Sequence, residues 1–329
     1  MNKKILFKIT AFLCITTMLS FGFTQISYAS TPDNSHHYYI GKIDLPKLKE
    51  LFTHKNDHGM NILMNQLESA QRLKMPKNYD SSKIIKLILE YAKELNMLSS
   101  ILTEKDNDGN TALKYALNNQ KNFEVILKYA EDAGVLKELL TSANNEGKTI
   151  LMYAASNSDD NPIIDLILSY AEKAEILETV LNATVPPKRK QGSDEKFKPY
   201  LELSALTYAV QENHLKNAKK LIEKGCKGIN IIVFTTHPAG VDVTKPIIVS
   251  LVKNKNFEMV KLLVKNDKLD LAYPIYGMNK NDLLKLVNDN KEKEVFELLE
   301  KWSKPLYMYH MITYLKPQYR HNIIKLKLK

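Results

Sequence analysis

Few residues of this chain have the types and spacing that chemistry needs. His54 and His58 lie four apart, a separation that presents two imidazoles to one metal only on a helix. Gly59 follows at once and makes the segment a turn, so the pair reads as solvated loop. Glu146-Gly147-Lys148-Thr149 contains the GKT of a phosphate loop, but that motif needs a glycine five positions before Gly147, where this chain has Ser142. No HExxH, CxxC or GxSxG occurs. Nothing resembles a nucleophile beside a base, which argues against the common hydrolytic and metal-dependent chemistries. The expectation is therefore a protein that is not an enzyme, with no metal, no cofactor and no small-molecule substrate.

The more telling residues are the ones that repeat. Ile84 to Ala92 (IIKLILEYA), Val125 to Ala130 (VILKYA) and Ile163 to Ala171 (IIDLILSYA) align on Tyr91, Tyr129 and Tyr170, spaced 38 and then 41 residues apart. A period in the range of about 20 to 50 residues marks a solenoid, whose units bury their apolar faces only against neighbours. The same punctuation precedes each copy: NDHGMNILM from Asn56, DNDGNTALKYA from Asp106 and NNEGKTILMYA from Asn144. Gly59, Gly109 and Gly147 stand where a tight turn needs positive φ, and the neighbouring Asp and Asn supply acceptors for turn amides. Thr111 and Thr149 are expected helix N-caps. Leu113 with Ala116, and Leu151 with Ala154, then fall on one face of a short helix.

These residues resemble the ankyrin repeat, with its D-x-x-G-x-T turn, T-P-L-x-x-A-A first helix and Val/Leu-rich second helix. Later segments follow the pattern more closely. They are Ser204 to Ala209, then Asn213-His214-Leu215, Lys219 to Ile222 and Glu223 to Cys226, with His214 in the family's structural histidine position. Ile247-Ile248 through Phe257 to Leu263 reads as the next unit, with Leu251 in place of Ala, and Leu283 to Leu299 as a closing one. The resemblance implies an all-α, ankyrin-like helical solenoid of about six repeats over residues 55–300. Leu45, Leu48, Leu51 and Phe52 form an apolar helix face that caps it, within an N-terminal segment 30–54.

Proline is absent from the first helices, and the first three units exceed the family's length of about 33 residues. Val135-Leu136 with Leu139-Leu140, and Ile176-Leu177 with Val180-Leu181, are helically spaced, so the extra residues prolong the second helix or add a short third one. An array nearer to armadillo or tetratricopeptide solenoids is the other architecture this allows. Two insertions break the rhythm. Residues 184–199 (TVPPKRKQGSDEKFKP) read as a loop, and 229–244 (INIIVFTTHPAGVDVT) as a β-hairpin.

The first 29 residues have the layout of a secretory signal peptide: Lys3, Lys4 and Lys8, an apolar run from Ile9 to Phe23, and small residues Ser27 and Ala29. The expectation is export, periplasmic or secreted. Removal of that segment takes Cys14 with it and leaves Cys226 without an internal partner. The net charge of +10 is local. Setting aside three lysines in the leader and seven basic residues in 301–329 leaves 37 basic against 37 acidic residues. The tail, 301–329, interleaves those seven basic side chains with Trp302, Tyr307, Tyr309, Tyr314 and Tyr319 and has no acid.

What the resemblance implies for the site is a concave surface lined by turn tips and first helices. The tips are Asp57, His58, Asn107, Asp108, Asn145 and Glu146. The helix positions are Asn118, Asn119, Ser156, Asn157, Gln211, Glu212, Lys253, Asn254, Asp289 and Asn290. Phe234 of the expected hairpin, and Trp302, are the best aromatic anchors, since binding hot spots favour large aromatic groups. The expected function is protein–protein interaction by an exported ankyrin repeat protein, in the manner of a bacterial effector that binds a host protein. The alternative is a peripheral membrane protein held by its basic aromatic tail on anionic lipid, with the repeats as spacer. Nucleic acid ranks last.

Overall fold

The computed structural model describes residues 45–72, 80–185, 203–230, 247–270 and 280–301. The described residues form helices joined by turns, with one pair of two-residue strands and two isolated bridges. The chain divides into two compact units, residues 1–154 with 162–180, and residues 155–161 with 181–329.

In the first unit α1 (Leu45–Thr53) precedes three repeats. Each repeat is a turn followed by up to three helices. They are α2 (Ile62–Arg72), α3 (Ser81–Glu94) and α4 (Leu98–Thr103); then α5 (Ala112–Ala116), α6 (Gln120–Asp132) and α7 (Leu136–Thr141); then α8 (Ile150–Asn157), α9 (Pro162–Lys173) and α10 (Leu177–Leu181). The surplus length of these repeats is thus a separate third helix. Its cause is local. Asn96, Gly134 and Glu175 adopt φ of 57°, 71° and 58°, and a left-handed residue ends a helix by turning the next amide back on the last turn. That amide is Met97 N to Ala92 O (2.7 Å), Val135 N to Ala130 O (2.9 Å) and Ile176 N to Ala171 O (2.9 Å).

Like packs on like: α2 on α5, α3 on α6 and α6 on α9, α4 on α7. The second helices form the core, because the same four positions turn inward in each. Ile85, Phe123 and Ile164 are equivalent, as are Ile88, Ile126 and Ile167; Leu89, Leu127 and Leu168; and Ala92, Ala130 and Ala171, all 0–1% exposed. The alanines admit the neighbouring backbone, and the branched residues fill the gap between helices. Leu63, Leu113 and Leu151, all fully buried, do the same for the first helices.

The second unit continues with α11 (Ala205–Gln211), α12 (Leu215–Glu223), β1 (Ile229–Asn230), α13 (Ile247–Asn254), α14 (Phe257–Lys265), β2 (Leu269–Asp270), α15 (Lys280–Asn288) and α16 over residues 292–301. Here too α11 packs on α12 and α13, and α12 on α14. β1 and β2 pair in parallel, Ile229 opposite Leu269 and Asn230 opposite Asp270. Parallel pairing is what two equivalent points of successive repeats produce, since both strands leave their second helices in one direction. Gly228 permits the approach, as a Cβ there would lie 3.1 Å from the Lys268 carbonyl oxygen. Val185 and Leu203 bridge antiparallel (Val185 N to Leu203 O, 3.0 Å). Residues 186–202, the expected hairpin from residue 231 onward, the expected signal peptide and residues 302–329 lie outside the described residues, as do Phe234 and Trp302.

Thr111 stands at the expected N-cap position, with extended backbone ahead of α5, but without the bond that a cap side chain supplies, and the Thr149 hydroxyl, buried ahead of α8, has no partner among the described residues. Asn61 at the equivalent position does cap, accepting from Met64 N at 3.0 Å. All three residues are buried, and reach separates them: the longer carboxamide of Asn61 also donates to Ile101 O and Glu104 Oε2, each at 3.0 Å.

Candidate protein-binding surface

Each repeat of the first unit opens on the same turn. Asn56, Asp106 or Asn144 offers a side-chain oxygen to two amides of its own loop. Asn56 Oδ1 accepts from His58 N and Met60 N (both 3.0 Å). Asp106 Oδ1 accepts from Asp108 N (2.9 Å) and Asn110 N (2.8 Å). Asn144 Oδ1 accepts from Glu146 N (3.0 Å) and Lys148 N (2.8 Å). Gly59, Gly109 and Gly147 complete the turns at φ of 73°, 82° and 85°, a conformation that costs other residues about 1–2 kcal/mol.

The turns are joined in series. Asn107 N donates to His58 O and Asn107 Nδ2 to Asp57 O, both at 2.9 Å. One repeat later Asn145 N donates to Asp108 O and Asn145 Nδ2 to Asn107 O, again at 2.9 Å. Asn107 and Asn145 therefore spend their carboxamides on the preceding turn although both residues are exposed, as are Asp57, His58, Asp108 and Glu146. Glu146 pairs with Lys148 at 3.1 Å.

The helix-end residues form a different group. In the first unit the tips precede the first helix, while Asn118 and Asn119 follow its other end, so α5, rising about 1.5 Å per residue, separates them. Asn119 is a structural cap whose side chain accepts from Asn122 N at 3.0 Å. Asn118 is exposed and donates to Gln71 Oε1 at 3.3 Å. In the second unit Ser156 is half-buried and Asn157 exposed at the end of α8, and Gln211 is half-buried with Glu212 exposed at the end of α11. Lys253, Asn254, Asp289 and Asn290 are exposed. Asn290 has φ of 52° and accepts from Lys261 Nζ at 3.3 Å. His214 starts α12 with Nδ1 3.0 Å from Ala155 O, and the fully buried Asn217 donates to Ala155 O (3.1 Å) and Ser158 O (2.6 Å).

Sequence reasoning missed the polar network behind the tips. Tyr115 and Tyr153 each stand nine residues after the turn's acceptor, the one signal that could have disclosed it. The Tyr115 hydroxyl donates to Asp106 Oδ2. Tyr153 Oη accepts from Asn144 Nδ2 (2.8 Å) and donates to Asn110 Oδ1 (3.3 Å). Asn110, buried, spans both turns: its Nδ2 lies 3.2 and 3.1 Å from the two Asp106 oxygens. Burial alone would raise the Asp106 carboxyl, but hydrogen bonds from Tyr115, Asn110 and Asp108 together outweigh it and hold it below the usual range. Burial, then Asp106, drives Tyr115 upward. Burial, then Glu146 and Asp106, pushes Tyr153 up to about 12. These tyrosines stay neutral and structural. Burial also pushes the Cys226 thiol up to about 11, which keeps it protonated and unreactive near neutrality. Among the described residues no group of three or more His, Cys, Asp or Glu side chains is arranged to hold a metal, and no helix is long and apolar enough to cross a membrane.

The class these elements define is an all-α protein of repeat-like architecture. The sequence matches no protein-family model and no curated protein.

Proposed function

We propose that this is an exported, ankyrin-like solenoid that binds another protein and carries out no catalysis, in the manner of a bacterial effector directed at a host protein. The supporting observation is the serial joining of three turns through their backbones, with Asp57, His58, Asp108 and Glu146 left exposed in fixed register. A surface held this way loses little freedom on association, which lowers the cost of binding. A polar, aromatic-poor tip row suits a moderate, exchangeable complex better than a permanent one.

The test is a pull-down from eukaryotic lysate with residues 30–329, beside two folded variants. One carries Asp57→Ala, His58→Ala, Asp108→Ala and Glu146→Ala; the other carries Asn118→Ala, Asn157→Ala and Gln211→Ala. Asn119 is left alone because its loss would remove a helix cap. A partner held by the parent and released by the tip variant supports the reading, and release by the second variant alone moves the site to the helix ends. A partner held equally by all three removes both surfaces. The concentration of excess positive charge in 301–329 sustains the membrane-attached alternative. Deleting that tail separates the two, since lost liposome binding with an intact fold favours attachment.

A further inference from the structure

We propose that the Asp106 carboxylate is an acid-sensitive lock on the turn tips, joining the second and third turns while charged and releasing them when protonated. This rests on the tips being the binding surface only for its biological consequence, release of the partner in acid. The mechanism stands on the hydrogen bonds alone.

The geometry makes the charge the organising element. All four groups that reach Asp106 are donors: Asp108 N, Asn110 N, Asn110 Nδ2 and the Tyr115 hydroxyl. A carboxylate only accepts, so it fixes the rotation of the Asn110 carboxamide with its NH₂ inward. The Asn110 oxygen is then turned to the third turn, where it accepts from Tyr153 Oη (3.3 Å) and Asn144 Nδ2 (3.4 Å). A protonated Asp106 must donate once into this ring of donors. Either Tyr115 reverses and its own proton loses its acceptor, or Asn110 flips and faces Tyr153 with an NH₂. Both outcomes leave a half-buried or buried polar group without its protein partner. The turns at Asn56 and Asn144 use a neutral carboxamide in the same place and cannot respond.

The charged groups around the network are Glu68 and Lys114 beside Tyr115, Asp108 within the turn, Glu146 and Lys148 beside Tyr153, and Lys105, whose Nζ donates to Ala143 O at 2.8 Å. Because the folded-state carboxyl titrates below its unfolded value of about 3.9, its contribution is complete above that value and is lost as the pH falls through the folded one.

Amide hydrogen exchange on the full chain, corrected for intrinsic rates, tests this without any partner. Near neutrality the amides of Asp108, Gly109, Asn110 and Asn145 should be protected, and as the pH falls below the unfolded carboxyl value of about 3.9 they should open while α12 and α14 stay closed. Asp106→Asn should show the opened pattern already at neutrality, with no further acid step. Tyr115→Phe removes one donor to the carboxylate and should move the step to higher pH. Wild-type protection unchanged in acid, an Asp106→Asn chain as protected as wild type, or simultaneous opening of all helices would each overturn the lock. If the lock holds and no partner responds to tip substitutions, the binding reading fails by itself.

Discussion

At the scale of single residues, the same left-handed backbone has two different meanings. Gly109 and Gly134 have similar φ, 82° and 71°, but a Cβ on Gly109 would lie 2.4 Å from Asn145 Oδ1 and 2.7 Å from Asn145 N, while one on Gly134 would meet nothing within 4 Å. Gly134 ends a helix, and Gly109 also makes room for the next turn. Gly134→Ala should therefore cost only the conformational penalty, about 1–2 kcal/mol. Gly109→Ala should cost clearly more, because contacts below 3 Å force Asn145 away and break its two bonds to the second turn. Urea denaturation of the two variants measures this, and equal losses would mean that the close approach of the turns carries no energy.

At the scale of elements, the unit of construction is a turn joined to a turn. Asn107 and Asn145 each make one backbone and one side-chain bond to the preceding turn, so each carboxamide is one rung of a short ladder. Asn107→Ala and Asn145→Ala should each lose about 0.5–1.5 kcal/mol, the ordinary net value of one hydrogen bond. The rungs share a residue, since Asn145 Nδ2 binds the carbonyl of Asn107, so the double variant should depart from additivity. Strict additivity would show the turns to be independent. Much of this construction was legible. Glycine and Asx residues at a repeated offset mark the turns, and apolar residues at helical spacing mark the buried faces of α3, α6 and α9. The third helices were legible only as apolar spacing, because what separates them is left-handed φ at Asn96 and Glu175, residue types that do not demand it. The roles of the tip residues were less so. Sequence position puts Asn107 and Asp108 side by side on an exposed polar tip, and only the approach of the neighbouring turn decides that the Asn107 carboxamide is bonded to Asp57 O. Tyr115 was likewise legible as a repeat and not as a partner of Asp106, because helix length sets how far back its hydroxyl reaches.

At the scale of the molecule, a chain built from repeats holds itself together by nearest-neighbour contacts, so damage should fade along the sequence instead of spreading evenly. Leu113 and Leu263 are both fully buried, the first in α5 and the second in α14, and truncation of either to alanine leaves a cavity worth about 2–5 kcal/mol. In an ordinary globular domain either loss would lower the protection of every core amide alike. Here Leu113→Ala should accelerate exchange most in α2, α5, α6 and α8, which pack on or flank the site, and least in α14, while Leu263→Ala should do the reverse. The core amides of α6 and α14, around Ile126 and Val260, report on the two regions. Uniform acceleration of both sets by either variant would identify one cooperative core and remove the nearest-neighbour picture. A graded response would make local stability a property that each repeat sets for itself, and then a soft second turn, as the Asp106 network implies in acid, could open without unfolding the rest of the chain.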